Sequence, residues 1–134
     1  MTIDKQLAMK LWNDIYGNQR FVLDCFGNWI CRDAYSNEPV SMKDHRGSSN
    51  YYDYSWNIDH IRPKASYFNE DNADDYNNFE LIHRQNNLEK SDDYPYFKVN
   101  GKQYHVVKNG NYGYGITDSY GRRIDWKKDG RHYR

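Results

Sequence analysis

Two short stretches of this chain hold side chains that could act together on one phosphorus atom. Trp56-Asn57-Ile58-Asp59-His60-Ile61-Arg62-Pro63 ends an apolar run on an Asp-His pair, and Asn77-Asn78-Phe79-Glu80-Leu81-Ile82-His83 leads into Asn86-Asn87-Leu88-Glu89-Lys90. Hydrolysing a phosphodiester requires a nucleophilic water, charge to stabilise a crowded transition state, and relief for the departing oxygen. Histidine titrates near neutrality, so His60 can take a proton from water. A hard divalent cation can supply the other two needs. Asp59 offers that cation a carboxylate, and Asn87 offers a neutral carbonyl oxygen of the kind Mg²⁺ accepts while keeping several waters. Neighbouring residues on a strand point to opposite faces, so Asp59 and His60 share a site only where the strand stops. Pro63, which lacks a backbone donor, marks that stop. Asn78 can tie the intervening loop back across the site and hold His60 in place.

Taken in order, Asp59-His60-x-x-Pro63, Asn78-Phe79-x-Leu81 and Asn87-x-x-Lys90 resemble the HNH endonuclease motif in its His-Asn-Asn form, over about residues 55–93. Asn87-Leu88-Glu89-Lys90-Ser91-Asp92 is similar to the matching piece of the HNH domain in RNA-guided CRISPR effectors. The nine-residue step from Asn78 to Asn87 resembles the interval between the middle Asn and a metal-binding His in nuclease colicins. Phe97 to Tyr104, read as Phe-x-x-Asn-Gly-Lys-x-Tyr, resembles a segment after the motif in phage and mobile-element HNH proteins. The resemblance implies a ββα-metal fold and hydrolysis of DNA phosphodiesters. It assigns activation of water to His60, a divalent ion (Mg²⁺ or Mn²⁺) to Asp59 and Asn87, ordering of the loop to Asn78, and phosphate contacts to Arg62, Arg84 and Lys90.

The chain departs from the family in two ways. Where many members bind a bracing zinc through two Cys-x-x-Cys pairs, the second pair falls on His83 and Asn86, so no structural zinc is expected and His83 becomes a hydrogen-bonded supporting residue. The stretch Glu70 to Asp75 beside the site carries acids and no bases, which argues against tight unaided binding of duplex DNA. A second class of function therefore stands beside the first. It is a non-cleaving protein that keeps the scaffold and docks on nucleic acid or on a partner protein, as a phage counter-defence factor would; metal-dependent cleavage separates the two.

The elements that must position these residues follow from the rest of the chain. At 134 residues it suits one domain, with an N-terminal part over 1–54, the site over 55–93 and an extension over 94–134. Hydrophobic residues make up 37% and aromatics 17%, so the core is small and built largely from rings. Nineteen basic and nineteen acidic residues cancel, leaving no overall pull toward a polyanion. The run Arg122, Arg123, Lys127, Lys128, Arg131 and Arg134 could follow a phosphate backbone or simply be solvated. No apolar run is long enough for a membrane span and no signal pattern opens the chain, so an intracellular, cytoplasmic protein without a membrane partner is expected. Cys25 and Cys31 read as free thiols.

The expected class is α+β. Leu7, Leu11 and Ile15, with Ala8 and Trp12, predict a helix to about Tyr16, capped by Thr2 or Asp4 and ended by Gly17-Asn18. A hairpin is expected around Phe26-Gly27-Asn28. Asp33 to Tyr54 reads as polar and irregular, a loop from which Lys43 or Arg46 could reach substrate. Strands are expected at Trp56–Ile61 and Phe79–His83 and a short helix over Gln85–Ser91. A small antiparallel sheet, turning at Asn100-Gly101, should follow.

Overall fold

A computed structural model describes residues 5–110 and 113–125. Helix α1 (Lys5–Tyr16) buries Ala8, Leu11 and Trp12 completely, the face set by the apolar spacing. The Gly17 N–H closes it on the Asn13 carbonyl at 3.0 Å. Its expected caps, Thr2 and Asp4, lie outside the described residues. No helix among the described residues is long and apolar enough to cross a membrane.

The hairpin of β1 (Phe21–Leu23) and β2 (Trp29–Cys31) forms as expected, with Val22 opposite Ile30. The stretch from Asp33 to Tyr54 does not stay irregular. It folds into a second hairpin, β3 (Ser41–Lys43) and β4 (Tyr51–Asp53), with Met42 opposite Tyr52. Three-residue strands are too short to show a period, and the legible signal is in the turn: Asp44-x-x-Gly47 repeats the chemistry of Asp24-x-x-Gly27, and Asp118-x-x-Gly121 uses it again. In all three the Asp Oδ1 accepts the backbone N–H two residues on, and the Gly donates to the Asp carbonyl at 3.0–3.1 Å. Those glycines sit at φ +90°, +105° and +80°, where a side chain would be strained.

The hydroxyl of Ser48, with the backbone N–H and guanidinium of Arg46, holds the Asp44 carboxyl well below its ordinary value of 3.8. A carboxylate depressed in the folded state stabilises the fold above its unfolded pKa, and that contribution is lost as pH falls through the lower folded value. The urea midpoint is therefore expected to drop as pH falls below about 4. Asp44→Asn should remove part of that slope, and an unchanged slope would sink the assignment.

Strand β5 (Trp56–His60) pairs antiparallel with β6 (Phe79–His83), in register from Trp56 opposite His83 to His60 opposite Phe79. Helix α2 (Arg84–Lys90) follows directly. All of β6 is buried. Around this unit lie two apolar clusters. One joins α1 and the first hairpin to β5 and β6 through Trp12 and Trp56, whose rings are 5.0 Å apart. The other gathers Ile61, Phe97, Val99, Tyr104, Val106 and Ile116 beneath the C-terminal sheet. That sheet is β7 (Tyr96–Val99), β8 (Lys102–Asn109) and β9 (Gly113–Asp118), in the order β7-β8-β9, with the Asn100-Gly101 turn where it was expected. The fold is thus mixed α+β, with two α-helices and several small antiparallel sheets among the described residues. Both cysteines are free thiols.

Candidate functional site

Beyond His60 the chain leaves the ladder, and a single buried amide controls where it goes. Asn78 accepts the Arg62 N–H on Oδ1 at 2.8 Å and donates from Nδ2 to the carbonyls of Arg62 and Ala73 at 3.0 and 2.9 Å. The Ile61 N–H meets the Asn78 carbonyl at 2.8 Å. Asn78 thus ties the start of the loop between β5 and β6, at Arg62, to its later part at Ala73. Because the strand ends there, Asp59 and His60 line one cleft. It has a volume of about 230 Å³, and Pro63, Lys64, Asn87 and Asp92 also line it.

Asn87 returns to this cleft on α2. Its Nδ2 donates to Asn57 Oδ1. Asp59 is 4% exposed. Its Oδ1 lies 3.3 Å from Lys90 Nζ, while Oδ2 is buried with no hydrogen-bond partner among the described residues. Burial pushes the Asp59 carboxyl above its ordinary value, opposed by the Lys90 charge. A buried acceptor without a partner costs roughly 1–3 kcal/mol, and a cation at Oδ2 would relieve that cost. Among the described residues no three His, Cys, Asp or Glu side chains converge as a metal cage. One carboxylate with one amide oxygen is the sparse donor set that Mg²⁺ tolerates, since it retains most of its waters.

His60 Nε2 lies 2.8 Å from Asp74 Oδ1, and its ring meets Phe79 edge-on at 5.3 Å. Asp74 ends the 3₁₀ turn Glu70–Asp74. In the sequence these acids stand only as a hindrance to DNA. No fixed spacing ties residue 60 to residue 74, so the contact becomes visible only once Asn78 has folded the loop.

The expected phosphate contacts are placed differently. Lys90 is fully buried, with Nζ held by Asp59 Oδ1 and by the His60 carbonyl at 3.1 Å. Arg84 is also buried, its Nη2 3.1 Å from Asp53 Oδ2 and its Nε 3.2 Å from Ser55 Oγ. Each side chain, expected to contact phosphate, instead pairs with a carboxylate of the fold, Lys90 with the buried Asp59 and Arg84 with the partly buried Asp53. Arg62 donates to the Tyr114 hydroxyl at 2.6 Å and lies over the Tyr67 ring, 4.2 Å from its centroid. There it lines a wider cavity of about 620 Å³ that shares Asp74 with the His60 side. Arg46 is bonded to Asp44 at 2.9 Å. In the basic run, Arg122 and Arg123 pair with Asp118 and Asp125 at 2.7 Å, and Lys127, Lys128, Arg131 and Arg134 lie outside the described residues.

Both ring nitrogens of His83 are hydrogen-bonded within the fold. Its Nδ1 accepts the Gln85 N–H at 3.1 Å, capping α2, and its Nε2 meets the Asp53 carbonyl at 2.7 Å. Asn86 donates to Asp24 Oδ2 at 2.8 Å and to Asn28 Oδ1 at 2.9 Å, and Asp24 Oδ2 also accepts the His83 N–H at 2.9 Å. The turn of the first hairpin is thereby fastened to the junction of β6 and α2 through one carboxylate that no motif or spacing in the sequence singles out for that task. Two further histidines given no role have packing ones: His45 stacks on Phe21 at 4.2 Å and His105 on Tyr96 at 4.4 Å. His132 lies outside the described residues. Compared with protein-family models, curated proteins and solved structures, the chain matches none.

Proposed function

We propose that the protein is a divalent-metal-dependent endonuclease of the HNH type that hydrolyses DNA phosphodiester bonds with His60 as general base. The observation that carries this reading is Asp59 Oδ2, a buried carboxylate oxygen with no hydrogen-bond partner among the described residues, on a side chain that lines one cleft with His60 and Asn87. The order β5, β6, α2 with Asn78 across the loop supports a ββα-metal core. When bound, Mg²⁺ or Mn²⁺ would offset negative charge on the phosphate and on the departing 3′ oxygen. Asp59 and Asn87 hold the ion's side of the cleft, and His60 takes the proton of the attacking water. Asn78 keeps the loop from swinging His60 away.

Purified protein is expected to nick supercoiled plasmid in Mg²⁺ or Mn²⁺ and to stop on addition of chelator. Intact plasmid under every divalent metal tried would overturn the reading. One observation favours the alternative, a non-cleaving scaffold that binds nucleic acid or a partner protein: Lys90 already places a positive charge on Asp59. Such a protein would bind its partner tightly and cut nothing, so the same assay decides between them.

A further inference from the structure

We infer that Asp74 is the positioning residue of His60, an inference that rests on the nuclease reading above. Three observations converge on it. The Asp74 carboxylate accepts from the ring nitrogen Nε2 of His60 at 2.8 Å. Its side chain is only 10% exposed, in a setting where water competes weakly for that bond. The backbone that carries it is fixed from below, because the adjacent Ala73 is fully buried and its carbonyl takes one of the two Asn78 amide bonds. The loop is built so that the residue which orders it also delivers a carboxylate to the base.

The chemical consequence is a choice of nitrogen. With the Nε2 proton committed to Asp74, Nδ1 keeps its lone pair and is the atom that accepts from water. As the water oxygen bonds to phosphorus, its proton moves to Nδ1. The 3′ oxygen leaves with the electron pair of the broken P–O bond and takes a proton from solvent. The imidazolium formed in that step lies against a carboxylate, so its charge is offset where it develops. Lys64 Nζ, 3.9 Å from the other Asp74 oxygen, braces the carboxylate from its far side.

Asp74→Asn keeps the shape of the side chain and removes its charge. It is expected to lower kcat for plasmid nicking by roughly 10²-fold with KM unchanged, and Asp74→Glu should recover part of the loss. In the proton NMR spectrum the His60 ring N–H should be protected from exchange and shifted downfield in the wild type, and should move upfield and exchange faster in Asp74→Asn, whose neutral amide oxygen is the weaker acceptor. If the wild type nicks and Asp74→Asn nicks equally fast, the role of Asp74 falls while the nuclease reading stands. If the wild type nicks nothing under any metal, the nuclease reading falls and this role with it. Should Asp74→Asn fail to fold by circular dichroism, Asp74→Glu carries the test: a folded Asp74→Glu enzyme with raised KM and wild-type kcat would overturn the proposal.

Discussion

His60→Ala is expected to lower metal-dependent nicking by about 10²- to 10⁴-fold, the usual cost of losing a general base, while the protein stays folded and still binds DNA. The separation of the two effects follows from where His60 sits. It is the last residue of β5, half-buried, and its ring meets Asp74 and the edge of Phe79 without belonging to either apolar cluster. Truncation therefore opens little cavity. The backbone pairing of His60 with Phe79 and the bond from Lys90 to the His60 carbonyl do not depend on the ring. Thermal melting and gel-shift binding of the variant should match the wild type, and only turnover should collapse. Undiminished nicking would remove His60 from the mechanism, and nicking lost together with folding would show that the ring is structural.

How much of this could be read from the sequence depends on whether the cause is local. That Asp59, His60 and Asn87 line one cleft, with Asn78 bonded across the loop beside it, was legible because a strand end, a loop anchor and a helix of two turns fix their positions within short spans of chain. The Asn100-Gly101 turn was legible for the same reason. Lys90 was not, because its direction depends on how α2 packs between β5 and β7, which sets Nζ beside the buried Asp59 and over the Phe97 ring. Arg84 went astray likewise: its partners Asp53 and Ser55 lie at the edge of a hairpin, β3–β4, that three-residue strands hide from any periodicity. Asp74 lies in between. Its acidic neighbourhood was visible, but the meeting with His60 needs the Asn78 bridges before it can be seen.

The largest expected loss of stability belongs to Asp24, which lies far in sequence from the site yet holds it together. Its carboxylate is 4% exposed and takes four hydrogen bonds: the Phe26 and Asn28 N–H groups at 3.0 and 2.8 Å on one oxygen, and the His83 N–H and Asn86 amide at 2.9 and 2.8 Å on the other. Asp24→Ala leaves the His83 N–H and one of the two Asn86 amide hydrogens buried without an acceptor at the junction of β6 and α2, the other amide hydrogen keeping Asn28 Oδ1. At roughly 1–3 kcal/mol for each buried group left unpaired, the variant should lose about 3–5 kcal/mol, a large share of the 5–15 kcal/mol typical of a domain. Asp24→Asn keeps one acceptor oxygen and should lose about half as much. The urea midpoint reads both. A protein with so small an aliphatic core depends on such a polar fastening, since the turn of the first hairpin has few apolar side chains to press against α2. The fastening also reaches the cleft: the helix it anchors carries Asn87, so Mn²⁺ affinity should weaken in Asp24→Asn even where the fold survives. An Asp24→Ala protein with the wild-type urea midpoint would show that the hairpin holds its place without this carboxylate.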